Sequence, residues 1–156
     1  MLLTDLLREE RIRASLSGAS RDAVLEELID VLIADGALPA AARQEAIDRV
    51  RAREARQTTG LGSGIAIPHG VCEAAPDVIA ALGLHRDGID WDSLDEKPVR
   101  LVILLLVPPN RLQAHIRTLA GIARLLNDAN LRQQIVDAPD AEAVMDILIE
   151  REEAAV

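Results

Sequence analysis

The chain has 156 residues, 49% of them hydrophobic, and a formal charge of −9 from 17 basic and 26 acidic side chains. That length suits one domain with a substantial core, and so much apolar side chain excludes a disordered chain. The acidic balance, with Trp91 in place of any Phe or Tyr, excludes a nonspecific nucleic-acid binder, which needs positive charge and stacking rings.

Residues 2–8 suit a short helix, and the alternation over 12–16 predicts a first strand. The N-terminal stretch mixes acidic residues and arginines and has no apolar signal segment. Ser20 is placed to cap a helix running to about Asp35. Val24, Leu25, Leu28, Val31 and Leu32 form its apolar stripe, and Gly36 stops it. Pro39 opens a second helix to about Arg56, with Ala42, Ala46, Ile47 and Val50 inward. A glycine-rich loop follows, then a strand near 65–68. Residues 78–84 predict another strand, after which the chain turns at 88–91. The strongest strand is 99–107, apolar enough to be buried on both faces and ended by Pro108 and Pro109. Its unbroken apolar run of 101–107 is far shorter than the ~20 residues of a membrane helix. A helix over about 113–127 should bury Ile116, Leu119, Ile122, Ala123 and Leu126, and two more helices are expected at 130–137 and 141–151. No repeat or linker divides the chain, so 1–156 reads as a single domain. Strands mixed with paired helices predict an α/β, three-layer fold, a mixed sheet flanked by helices on both faces. Cys72, the only cysteine, excludes an intrachain disulfide and fits a reducing cytoplasm. A cytoplasmic protein without membrane insertion is expected.

Residues 58–70, TTGLGSGIAIPHG, carry the chemistry. Gly60, Gly62 and Gly64 alternate with other residues, and Ile65, Ala66 and Ile67 lead to Pro68 and His69. Glycines let a backbone approach an anion, successive N–H groups can form an anion-binding concavity, and imidazole gains and loses groups near neutral pH. The pattern points to a histidine that handles a phosphoryl group. It is neither a dinucleotide fingerprint nor a P-loop, because the spacing is G-x-G-x-G and no Gly-Lys-Ser/Thr follows. The same residues also fit a glycine-rich loop closing onto a strand, with His69 at the surface. A zinc set from His69, Cys72, His85 and His115 supplies one close pair where structural zinc usually takes two, so no metal is expected.

Residues 53–70 resemble the active-site signature of the fructose/mannitol-type enzyme IIA family, phosphocarrier domains of the bacterial phosphotransferase system that include a nitrogen-regulatory type. A second match is the apolar strand 98–108 followed by His115 within 113–119, in the family's order. The resemblance runs from about Leu6 to about Ile149 and implies the same architecture with about five strands. It implies that His69 accepts a phosphoryl group from an HPr-like phosphocarrier, that His115 stabilises it and that Arg53 braces its oxygens. Arg51 and Arg56 lie near enough to take the bracing role. Thr59, Gly60, Gly62, Ser63 and Gly64 are the expected phosphate-binding residues, and no cofactor is implied. The phosphate then passes to a IIB domain in sugar uptake, or its presence signals to a regulatory protein target. A non-catalytic anion-binding module is the reading from another class. Two departures stand out. Ser63 replaces an Asn common in relatives, and Val71 replaces a basic residue beside the active histidine, which bears on the partner.

The residue chemistry agrees with these roles. Pro68 stiffens the backbone before His69, and Gly70 frees it after. His115 should sit in the first turn of its helix, where the dipole favours a neutral imidazole or a bound anion. His85 is expected to be a solvated turn residue.

Overall fold

The computed structural model describes residues 2–154. Within them, β1 (Ile12–Arg13), β2 (Gly60–Gly62), β3 (Ile65–Ala66), β4 (His69–Val71), β5 (Ile79–Ile89) and β6 (Val99–Val107) share one mixed sheet. The helices are α1 (Leu3–Leu6), α2 (Arg21–Ala34), α3 (Arg43–Arg56), α4 (Leu112–Leu125), α5 (Ala129–Val136) and α6 (Ala141–Ala154). The strand order is β1-β5-β6-β3-β2, with β4 also paired to β6. The apolar β6 is the axis, antiparallel to β5 on one side and parallel to β3 and β4 on the other.

Period-two alternation divides β6 between two cores. Val102, Leu104 and Leu106 pack with α2 and α3, whereas Leu101, Ile103, Leu105 and Val107 pack with α1, α4, α5 and α6. The sheet is therefore the middle of three layers, as expected. It has six strands, in keeping with the expected sheet of about five. Pro68 splits the expected strand at 65–68 into β3 and β4, because proline brings no N–H to the ladder, and the glycine run supplies β2.

Several local expectations hold. Ser20 Oγ accepts the Ala23 N–H, and Gly36 follows α2 at φ +77°. Others shift for visible reasons. β1 is only two residues long, although the Leu16 N–H still bonds the Leu84 carbonyl. A 3₁₀ turn at 40–42 precedes α3. The chain does not turn at 88–91. Strand β5 runs through to Ile89, and a bulge between Leu84 and Ile89 absorbs Gly88 at φ +84°. Helix α4 buries Ile122, with Leu126 at its C-cap, and packs Leu119 on the core as expected, but it also buries His115 and Thr118, and Ile116 is 65% exposed. No helix among the described residues is long and apolar enough to cross a membrane.

Candidate active site

His69 opens β4 level with Leu105 of β6. Its half-buried ring sits 2.9 Å through Nδ1 from the Ile67 carbonyl. A carbonyl only accepts, so Nδ1 carries the proton and Nε2 keeps its lone pair. Helix α3 crosses this strand closely. A Cβ on Gly70 would stand 3.0 Å from the Val50 backbone nitrogen, so only glycine lets the last turns of α3 come so near. The same helix carries Arg53, whose charge acts on both histidines. From the other face, α4 delivers His115, whose ring centroid is 4.9 Å from that of His69 at an interplanar angle of 53°. His115 is buried, and its Nδ1 has no hydrogen-bond partner among the described residues. His69 and His115 thus meet from two elements, and the Arg53 charge from a third acts on both rings. The Arg53 guanidinium also donates to the Gln57 carbonyl at 2.8 Å, closing the end of α3.

The glycine run is placed differently. Ser63 (φ +58°) and Gly64 (φ +80°) form a tight turn between paired Gly62 and Ile65, the sign pattern of a type I′ hairpin. Ile65 is level with Leu101 and His69 with Leu105, so the hairpin tip lies about 13 Å of strand away from the ring. Gly62, Ser63 and Gly64 therefore do not reach His69. Three of the N–H groups also have partners already. Thr59 donates to Glu54, Gly60 to Thr58 Oγ1 and Ser63 to Asp95. The glycines serve the backbone instead, for a Cβ on Gly60 would collide with Ser93. Thr59 is buried with an unpartnered hydroxyl, and Thr59 and Gly60 remain nearer the site end of the hairpin.

His85 is not a solvated turn residue. It lies within β5, on the opposite side of β6 from β4, and its Nε2 is 3.0 Å from the Gly18 carbonyl. Cys72 is buried, and burial pushes its thiol pKa up. Among the described residues no three His, Cys, Asp or Glu side chains gather as a metal-ligand group.

A family model, "Phosphoenolpyruvate-dependent sugar phosphotransferase system, EIIA 2", matches residues 5–151. The chain belongs to the EIIA 2 family. It is 35% identical over 149 residues to a nitrogen regulatory protein of Pseudomonas aeruginosa, covering 95% of each chain. It is 30% identical over 148 residues to the fructose-specific EIIABC component of Bacillus subtilis, covering 95% of this chain but 23% of that protein. The fold superposes on nitrogen regulatory protein IIA-Ntr from Neisseria meningitidis with a TM-score of 0.83 at 29% identity, covering 94% of this chain and 98% of that one.

In this EIIA 2 domain both site histidines are held neutral near pH 7. Burial lowers the His69 pKa and Arg53 lowers it further, against the Ile67 carbonyl and the Glu54 carboxylate. His115 is pushed down to about 4 by burial first, then by His69 and Arg53. A neutral ring beside a nucleophile can donate one N–H to a developing anion, and a fixed guanidinium can brace the rest.

Stability should follow from the same shift. Between pH 6.5 and 4 the unfolded chain protonates His115 while the folded protein does not, so acidification favours unfolding. The His115 contribution is expected to remove about 3 kcal/mol as pH falls through that window. Urea denaturation at stepped pH checks this, and His115→Ala should flatten the slope between pH 6.5 and 4.

Glu54 and Trp91 are the site neighbours that sequence reasoning missed. Glu54 is buried, accepts the Thr59 N–H with both carboxylate oxygens and takes the Trp91 indole N–H. A signal was present. Glu54 continues the inward stripe Ile47, Val50, Glu54 of α3, and a carboxylate on a buried stripe demands a partner.

Proposed function

We propose that this EIIA 2 domain is a phosphocarrier of the nitrogen-regulatory type, with His69 Nε2 as the phosphoryl acceptor from an HPr-like donor. The observation that carries this reading is the Nδ1 contact to the Ile67 carbonyl, which leaves Nε2 as the lone-pair nitrogen next to His115 and Arg53. In the step, the Nε2–P bond forms as the P–N bond to the donor histidine breaks. Donor and acceptor are both phosphohistidines, so the free-energy change is small and the transfer reversible. Catalysis is positioning plus charge stabilisation. His115 and Arg53 supply the charge stabilisation. Thr59 and Gly60 are the loop residues nearest to assisting, whereas Gly62, Ser63 and Gly64 keep a role in shaping the hairpin.

The test is incubation with enzyme I, HPr and labelled phosphoenolpyruvate. An acid-labile, base-stable label on the protein supports the phosphocarrier. No label leaves an anion-binding module. The end-to-end match to a nitrogen regulatory protein favours signalling. The match to a fructose-specific component favours the alternative of handing the phosphoryl group to a IIB domain in sugar uptake. Calorimetric titration of phosphorylated and unphosphorylated protein against a pulled-down target separates the two, because a switch must prefer one form.

The partner face is apolar. Val71, Leu112 and Ile116 are exposed at 39%, 47% and 65% and lie next to the two histidines in β4 and α4. Burying them against a matching surface supplies docking energy, and a charge at the centre opposes it. Ile116→Asp is expected to raise the KM for the phosphorylated donor about tenfold, the size of an interface hot spot, with kcat little changed. Initial-rate kinetics at varied donor concentration check this.

A further inference from the structure

We propose that Glu54 is a positioning residue that locks His69 in its nucleophilic tautomer through a chain of three hydrogen bonds. The proposal rests on His69 being the phosphoryl acceptor.

The chain can be followed atom by atom. The Glu54 carboxylate accepts the Thr59 N–H at 3.1 and 3.2 Å. The Thr59 carbonyl accepts the Ile67 N–H at 3.1 Å. The Ile67 carbonyl lies 2.9 Å from His69 Nδ1. Each bond fixes the residue that makes the next. Ile67 falls in the gap between β3 and β4, where the following Pro68 has no N–H to anchor the backbone, so the bond to Thr59 holds the carbonyl in place. An unrestrained neutral imidazole prefers its proton on Nε2, and that tautomer has no lone pair where the phosphoryl group must bind. The protein overcomes this preference only if an acceptor is held rigidly at Nδ1.

Glu54 is well built for that role. It is 4% exposed, and Trp91, fully buried, donates its indole N–H to the carboxylate. A buried carboxylate is costly, and a plain structural plug would be served equally by an apolar side chain. Its helical neighbour is Arg53, so one turn of α3 carries both the group that braces charge and the group that orients the nucleophile. Histidines at reactive centres are often oriented by a carboxylate. Here no hydrogen bond joins the carboxylate to the ring directly, and the link runs through the backbone of Thr59 and Ile67.

The test compares Glu54→Gln, Glu54→Met and wild type, with folding checked by NMR fingerprint. Gln keeps a carbonyl oxygen that can accept from Thr59 and Trp91. Met fills the volume but accepts from neither. The first readout is the tautomer of His69 from its ring ¹⁵N shifts, which needs no donor protein. Wild type and Glu54→Gln are expected to hold the proton on Nδ1, and Glu54→Met to shift toward the Nε2–H form. The second readout is phosphoryl acceptance. Glu54→Met should lose about tenfold in kcat at unchanged KM, the scale of losing an orienting partner, and Glu54→Gln should lose less than about threefold. Should the Met variant not fold, Glu54→Asp carries the same test, since its shortened carboxylate does not reach Thr59. A folded variant that lacks the acceptor, keeps the Nδ1–H tautomer and transfers at the wild-type rate would overturn the proposal. Failure of wild type to accept phosphate would instead overturn the phosphocarrier reading and leave the tautomer result standing.

Discussion

Replacing His69 with alanine will abolish phosphoryl acceptance. No other side chain at the site can substitute. His115 is 8% exposed against the half-buried His69, so the ring of His69 is the more accessible of the two to a docked donor. His85 stands across β6 with Nε2 facing the Gly18 carbonyl. Cys72 is buried, and its thiol is held protonated by that burial. The loss is therefore expected to be complete, not partial, because the bond to phosphorus has nowhere else to form. The variant should fold, since β4 pairs with β6 through its backbone and the His69 side chain gives up only the bond to Ile67 and its contact with the His115 ring. Labelling the purified variant with the full donor system, followed by peptide mapping, checks this. Label retained at wild-type level would remove His69 from the mechanism.

His115→Ala will still accept phosphate but will slow transfer in both directions by about 10²-fold, the scale of losing one preorganised donor. The transition state spreads charge over three equatorial oxygens, and His115 is a neutral imidazole already packed against the His69 ring. Its position removes the reorganisation that water would need. Phosphorylation of His69 places roughly two negative charges beside it, which should raise the His115 pKa well above about 4. His115→Gln, which retains an N–H donor, should recover part of the rate. Rapid-quench measurement of transfer from and back to the donor reads all three proteins. Equal rates for wild type and His115→Ala would leave His115 a packing residue.

Much of the frame was legible because single residues carry strong local signals. The apolar run of β6, the Ser20 cap and the Gly36 stop act within a few positions of themselves. The Pro68-His69-Gly70 triplet likewise announced its own backbone. What escaped depends on tertiary pairing. Arg86, Asp87 and Gly88 look like a turn by composition, yet the edge of β6 at Val99 keeps the chain extended as β5 to Ile89. The glycines of 60–64 have the composition of an anion cradle. Their real constraints are a two-residue hairpin and the close approach of Ser93, and no local pattern distinguishes those uses. On α4 and its C-cap apolarity places Ile122 and Leu126 inward correctly but also chooses Ile116, whereas the helix turns His115 toward His69 and leaves Ile116 exposed. Glu54 and Trp91 are 37 positions apart in the chain, so their bond follows from the fold alone.

A phosphocarrier of this design is defined by which atom of which ring bears the phosphoryl group. The direct measurement is NMR of the protein phosphorylated by the HPr-like donor, with ¹⁵N-labelled histidine and ³¹P detection. The expected result is one phosphohistidine, at His69, bonded through Nε2, with Nδ1 still protonated toward the Ile67 carbonyl. A phosphoryl group on Nδ1 of His69, or on His115, would contradict it.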